Sequence, residues 1–176
     1  MSDTQLSPSA IARLEEIRVA AESAIDKQAA LGPDVDITRF KTVSEQQRIE
    51  TLESLQKQVK ETVIHSGFMA DESDRSASYF QMDRTPIYER VQKAFDDAIE
   101  IMSTEDALKK WPEEMIEKYW WRAVMPDKDK DTAIVALHQT EGYFIRVKAG
   151  RKVEKPIQAC LFVSESNVSQ NVHNII

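Results

Sequence analysis

WPEEMIEKYWWRAVM, residues 111–125, holds all three tryptophans of the chain. So much aromatic surface on one segment marks what the rest packs around. Pro112 suits the first turn of a helix and Met125-Pro126 supplies a stop, which predicts a helix over 112–124. Helical spacing gathers Met115, Ile116, Tyr119, Trp120, Ala123 and Val124 on one face. Trp121 falls opposite, among Glu114, Glu117 and Lys118. Either another element of the fold covers it, as the high average burial of Trp suggests, or it anchors a partner, as Trp does at interface hot spots.

Upstream, Thr85-Pro86 reads as a cap and first-turn proline. Ile87, Val91, Phe95, Ala98 and Met102 then set the face of another helix, and Ser103 or Thr104 starts a short one. Residues 67–84 lack clear periodicity and form an irregular connection that holds a short helix, is a functional loop or is disordered. Before them, Ser7-Pro8 opens a helix that runs to Leu31, with a seam at Leu14, Ile17, Ala21, Ala24, Gln28 and Leu31. Ser44 with Gln47 resembles a capping box for a second helix to Ser66, seamed by Ile49, Leu52, Gln56, Val59 and Val63. The two suggest a long antiparallel hairpin over residues 1–66, a possible oligomerisation arm behind a polar tail at residues 1–6.

Downstream the period changes to two. Residues 132–139, 143–148 and 157–163 read as strands of an antiparallel three-stranded meander, with turns at Gly142 and Gly150. The expected fold class is therefore α+β: a helical hairpin and further helices, then a small C-terminal sheet, with residues 85–176 as the core.

Composition bounds function. A chain of 176 residues with 41% hydrophobic and 30% charged residues can build a real core. No apolar run approaches the roughly 20 residues of a membrane span. The first ten residues lack the basic and apolar regions of a secretory signal, and the single cysteine allows no internal disulfide. The expectation is an intracellular, cytoplasmic protein without membrane contact. A net charge of -7 argues against nucleic-acid binding by the whole chain. The basic residues nevertheless cluster, with Arg146, Lys148, Arg151, Lys152 and Lys155 around Gly150. Such a turn can bind phosphate or an acidic protein surface, or simply protect a sheet edge.

Catalytic and cofactor motifs are absent. All four glycines sit at element ends or turns, which leaves none for a phosphate-cradling loop. Asp127, Asp129 and Asp131 are spaced like the start of a calcium loop, but Thr132 stands where glycine is needed and His138 where a bidentate Glu belongs. The three histidines have no partner at ligand spacing. No metal or cofactor is therefore expected. The leading expectation is a non-enzymatic interaction or assembly protein that self-associates through its helical seams as a homo-oligomer. Trp121, Arg146, Lys148, Arg151, Lys152 and Lys155 would face a protein partner. One alternative is a small-ligand pocket or small enzyme between the tryptophan helix and the sheet, where Tyr119, Trp120, His138, Tyr143 and Cys160 would meet. Another is an anion or nucleic-acid contact through the basic turn.

Overall fold

The computed structural model describes residues 6–139 and 141–176, so most of the expected polar tail lies outside the described residues. Helix α1 spans Pro8–Ala24, and the Ser7 hydroxyl accepts a hydrogen bond from the Ala10 N–H. Its Ile17, Ala21 and Ala24 are buried as the seam requires, but against other elements than expected. Ala21 and Ala24 pack on Ala133 of a later helix, small residues letting the two backbones approach, and Ile17 packs on Met115, Trp120 and Trp121. α1 ends at Ala24, seven residues short of the expected Leu31.

The hairpin's second arm does not form as a long helix. Residues 42–50 are non-helical, and the Ile49 N–H donates to the Ile87 carbonyl at 2.9 Å, which lays this stretch against a strand. A single 3-10 turn, Leu52–Ser54, precedes the α-helix α2, Lys57–His65. The 3,4 spacing from Ile49 to Val63 survives in another form: Leu52, Leu55 and Val63 are buried with Phe68 in one core without sharing a continuous helix.

The irregular connection and the helix expected after it form sheet structure instead. β1 is Ala77–Met82, β2 is Thr85–Val91 and β3 is Ile99–Ser103. β1 and β2 form an antiparallel hairpin around Asp83, which takes a positive φ of 53° that an aspartate tolerates better than most residues. The register shifts between Phe80 and Gln81 and places Pro86 opposite Gln81, so proline enters the strand at a bulge, where sheets accept it. β1 is buried on both faces, from Ala77 to Gln81, which erases the alternation by which a half-buried strand is read.

Ser103 caps the short helix α3, Thr104–Lys110, through a 3.0 Å bond from the Asp106 N–H, as expected. The tryptophan segment begins with a helical turn, α4, Pro112–Glu114, and continues as a π-helix over Met115–Tyr119, closed by the Trp120 N–H to the Met115 carbonyl at 2.8 Å. There it stops, five residues before the expected end, because Trp121 takes a positive φ of 51°. This conformation is costly for a bulky residue, but it turns both indoles inward: Trp120 is 9% and Trp121 4% exposed.

The stretch expected as the first strand of the meander is helix α5, Lys130–His138. Asp129 accepts from the Thr132 N–H at 2.8 Å and Thr132 returns the bond, a capping box built from the acidic run that resembled a calcium loop. β4 is Tyr143–Val147 and β5 is Ile157–Phe162. They do not pair with each other: β4 lies antiparallel on β3, whereas β5 lies parallel on β1, giving the order β2-β1-β5 and a separate β3-β4 pair. The class is α+β, but strands from both halves of the chain interleave, and the meander is replaced by this arrangement.

After β5 the chain keeps the parallel direction. Val168 bridges Lys41, Val172 bridges Glu141 and Ile175 bridges Phe144, all in parallel. Ile175 is buried among Ile17, Met115, Trp120, Trp121 and Phe144. The last stretch is thus a strap across the fold.

Candidate functional site

The strap is held by a buried polar chain. Tyr79, Gln81 and Asp83 point from the β1 side, each with 0% exposure. Tyr79 donates to Gln81 Oε1 at 2.9 Å, with the Gly142 carbonyl at 3.0 Å, and the Gln81 amide donates to the Asp83 carbonyl at 2.9 Å. The Asp83 carboxylate accepts from the Ser164 N–H and hydroxyl, both at 2.8 Å, and Gln170 donates to the Asp83 carbonyl. Burial, reinforced by nearby Glu89 and Glu141, pushes the Tyr79 phenol up, which keeps it a hydrogen-bond donor. Such a network is costly if half-made and specifying if complete.

Further along, His173 lies against two indoles, its ring centroid 4.6 Å from Trp120 and 4.5 Å from Trp121. Its Nδ1 is buried without a partner, and burial lowers the imidazole to about 4, so it is neutral at physiological pH. Gly142, at φ +147°, lies beneath: a Cβ there would sit 2.3 Å from the His173 carbonyl oxygen. This position therefore requires glycine.

Near Gly142 is a charged cavity of about 210 Å³, lined by Arg48, Arg84, Glu105, Asp106, Lys109 and Glu141 among others. Glu105, in the first turn of α3, and Glu141, beside Gly142, border the same cavity, and the Thr104 N–H to Gly142 carbonyl bond of 3.0 Å fixes that juncture. Lys109 reaches Glu105 at 2.6 Å, and Arg48 reaches Glu89 at 3.6 Å and Asp106 at 3.4 Å. Glu141 is 8% exposed and its Oε2 has no partner. Burial, then the facing Glu105, raises Glu141 to about 8. Among the described residues, no group of three or more His, Cys, Asp or Glu is arranged to hold a metal ion.

The residues expected to form a pocket are not brought together. Tyr119 and Trp120 belong to the core around Phe144, Tyr143 packs on Tyr79 in a second, and Cys160 borders a third with Phe80. His138 lies exposed at the end of α5, facing a groove with Ile37 and Phe40. Burial pushes the Cys160 thiol up to about 11, so it is not a thiolate at neutral pH. Trp121, read as a possible exposed anchor, is covered by His173 because the left-handed turn reverses the face that a continuous helix would give it.

The basic turn is largely engaged within the chain. Arg146 pairs with Glu100 at 2.6 Å and Glu114 at 3.1 Å and stacks 4.6 Å over the Trp111 ring. Arg151 meets Asp97 at 2.9 Å, Lys152 meets Glu154 at 3.4 Å, and Lys155 donates to the Ser73 carbonyl at 2.6 Å. Lys148 is half-buried beside an apolar groove of about 710 Å³ along β4, with Phe144, Val147 and Ile175. Sequence reasoning missed the polar chain and the Glu105–Glu141 facing pair. Gln81 and Asp83 within an apolar run were the available signal for the first, and the second needs the contact of α3 with the segment before β4.

Among the described residues no helix is long and apolar enough to cross a membrane. No family model matches the chain. It is similar to an iron–sulfur cluster assembly SufBD family protein of Methanothermobacter thermautotrophicus strain Winter, 36% identical over 162 residues that cover 89% of this chain and 38% of the relative. A protein of the same description from the Delta H strain is 35% identical over the same shares of both chains. One from Archaeoglobus fulgidus is 33% identical over 117 residues, 66% of this chain and 30% of the relative. The chain thus spans less than two fifths of the length of the curated relatives it matches.

Proposed function

We propose that this chain serves iron–sulfur cluster assembly inside the cell, as a non-enzymatic component that acts by binding other proteins. The observation that carries this is the 36% identity over 89% of the chain to a protein described by that role. At such identity and extent, a shared fold and a related role are the simplest account. The architecture is compatible with it: among the described residues β5 pairs with β1 alone, which leaves its other edge for further protein to pair with. Arg151, Lys152 and Lys155, exposed around Gly150, would meet an acidic partner surface there.

Depleting the protein in its native cell is expected to lower the activity of enzymes that need iron–sulfur clusters and spare those that do not. Equal activity of both groups would remove the reading. Self-association is its finer part. With the α1 seam filled by α5, a homo-oligomer would form through strand edges. Sedimentation showing a strict monomer across micromolar concentrations would dispose of it.

A further inference from the structure

We infer that β5 is an interface between two copies of this chain, pairing antiparallel with β5 of the second copy and centred on Cys160; this deepens the self-association part of the proposed function and rests on it. The sheet β2-β1-β5 has two edges, and the sequence treats them differently. β2 carries Pro86, Glu89, Arg90 and a register shift, and its Ile87 carbonyl already accepts the Ile49 N–H. Charge, proline and irregular register are the means by which natural sheets stop an edge from pairing. β5 has none of them: its sequence, IQACLF, holds no charge and no proline, and its register on β1 is unbroken from Ile157 to Phe162. None of its residues is buried, whereas β1 beside it is buried from Ala77 to Gln81. An apolar strand left open in this way is a template for another strand.

The register fixes which backbone groups are open. The Asp83 N–H donates to the Phe162 carbonyl at 2.7 Å, so Phe162 and, at period two, Cys160 and Gln158 turn their backbone groups to β1. Ile157, Ala159 and Leu161 turn theirs outward, and among the described residues no strand pairs with them. A groove of about 470 Å³ runs beside the strand, walled by Val63, Gly67, Phe68 and Arg75, and gives an incoming chain access. Charge at the two ends of the strand selects the occupant. Lys155 stands five positions before Cys160 and Glu165 five after, both exposed. An antiparallel copy centred on Cys160 brings the Lys155 end of each strand to the Glu165 end of the other, so opposite charges meet at both ends. A parallel copy would set like charges together, which repel across strands. Glu165 is otherwise held by Lys41 at an exposed site, and Lys155 by the Ser73 carbonyl, which leaves its ammonium further N–H donors. In the antiparallel register Ala159 of each strand exchanges hydrogen bonds with Leu161 of the other, and the two Cys160 residues face each other between those pairs.

The test is sedimentation of the full chain across micromolar concentrations, with amide hydrogen exchange at the two ends of that range. Two variants accompany it. Ala159→Pro removes an outward N–H that makes no bond to β1, a loss an edge strand tolerates. Ala159→Lys puts a charge on an exposed side chain and leaves the backbone unchanged. The wild type should dimerise, and both variants should stay monomeric. Exchange at Ala159 and Leu161 should slow as concentration rises, while Cys160 and Phe162, bonded to β1, stay protected throughout. A dimer that both variants keep, or exchange at Ala159 and Leu161 that ignores concentration while the protein dimerises, would overturn the β5 pairing and leave self-association standing through another face. A wild type that is strictly monomeric would overturn both and leave the edge to a different polypeptide. Neither result bears on the role in cluster assembly, which depletion tests.

Discussion

Trp121 shows how one dihedral angle decides a role. On a continuous helix it would face Glu114 and Lys118; at φ 51° it turns inward and lies against His173. Its expected contribution is to folding: Trp121→Ala should cost roughly 3–5 kcal/mol in urea denaturation, the usual range for removing a buried large aromatic. An unchanged midpoint would return it to the surface. His173 makes a second test. The unfolded chain binds a proton below about 6.5 that the folded chain refuses until about 4, so stability should fall as pH drops through that interval, by about 2 kcal/mol. Glu141 titrates with the opposite sign over part of this range, so the comparison to make is wild type against His173→Phe. The variant should lose the acid slope while keeping a ring between the indoles.

At the scale of elements, the strap is the demanding piece, because it must pass within contact of a β4 backbone that turns at Gly142. Gly142→Ala should destabilise the fold by about 2–4 kcal/mol, from strain at φ +147° plus the clash with the His173 carbonyl. Retained stability in thermal unfolding would mean the strap does not sit there. What could be read from sequence follows the same physics. α1, its Ser7-Pro8 start and the Ser103 cap were legible because caps are local. Helix spacing failed at Ile87 and Val91, and at Ile49 and Leu52, because apolar residues three and four apart also suit strands and extended segments packed on both sides. Residues 132–139 failed the other way. Their Val and Ile suggested a strand, while the decisive signal was the Asp129–Thr132 cap, hidden in a run that looked like a turn. The parallel pairing of β5 with β1, 80 positions apart, has no local signature at all.

For the whole molecule, residues from both ends and the middle build shared cores: Ile17, Ala107, Phe144 and Ile175 lie in one of them. The contacts that hold the strap therefore reach across the described fold, whereas the residues proposed for a ligand pocket are dispersed among its cores. The proposed role in iron–sulfur cluster assembly rests on similarity to longer proteins described by that role. The most direct test is the iron and acid-labile sulfide content of an iron–sulfur protein purified from cells with and without this protein. The account predicts that depletion lowers both per polypeptide and that re-expression restores them. Undiminished iron and sulfide in depleted cells would contradict it.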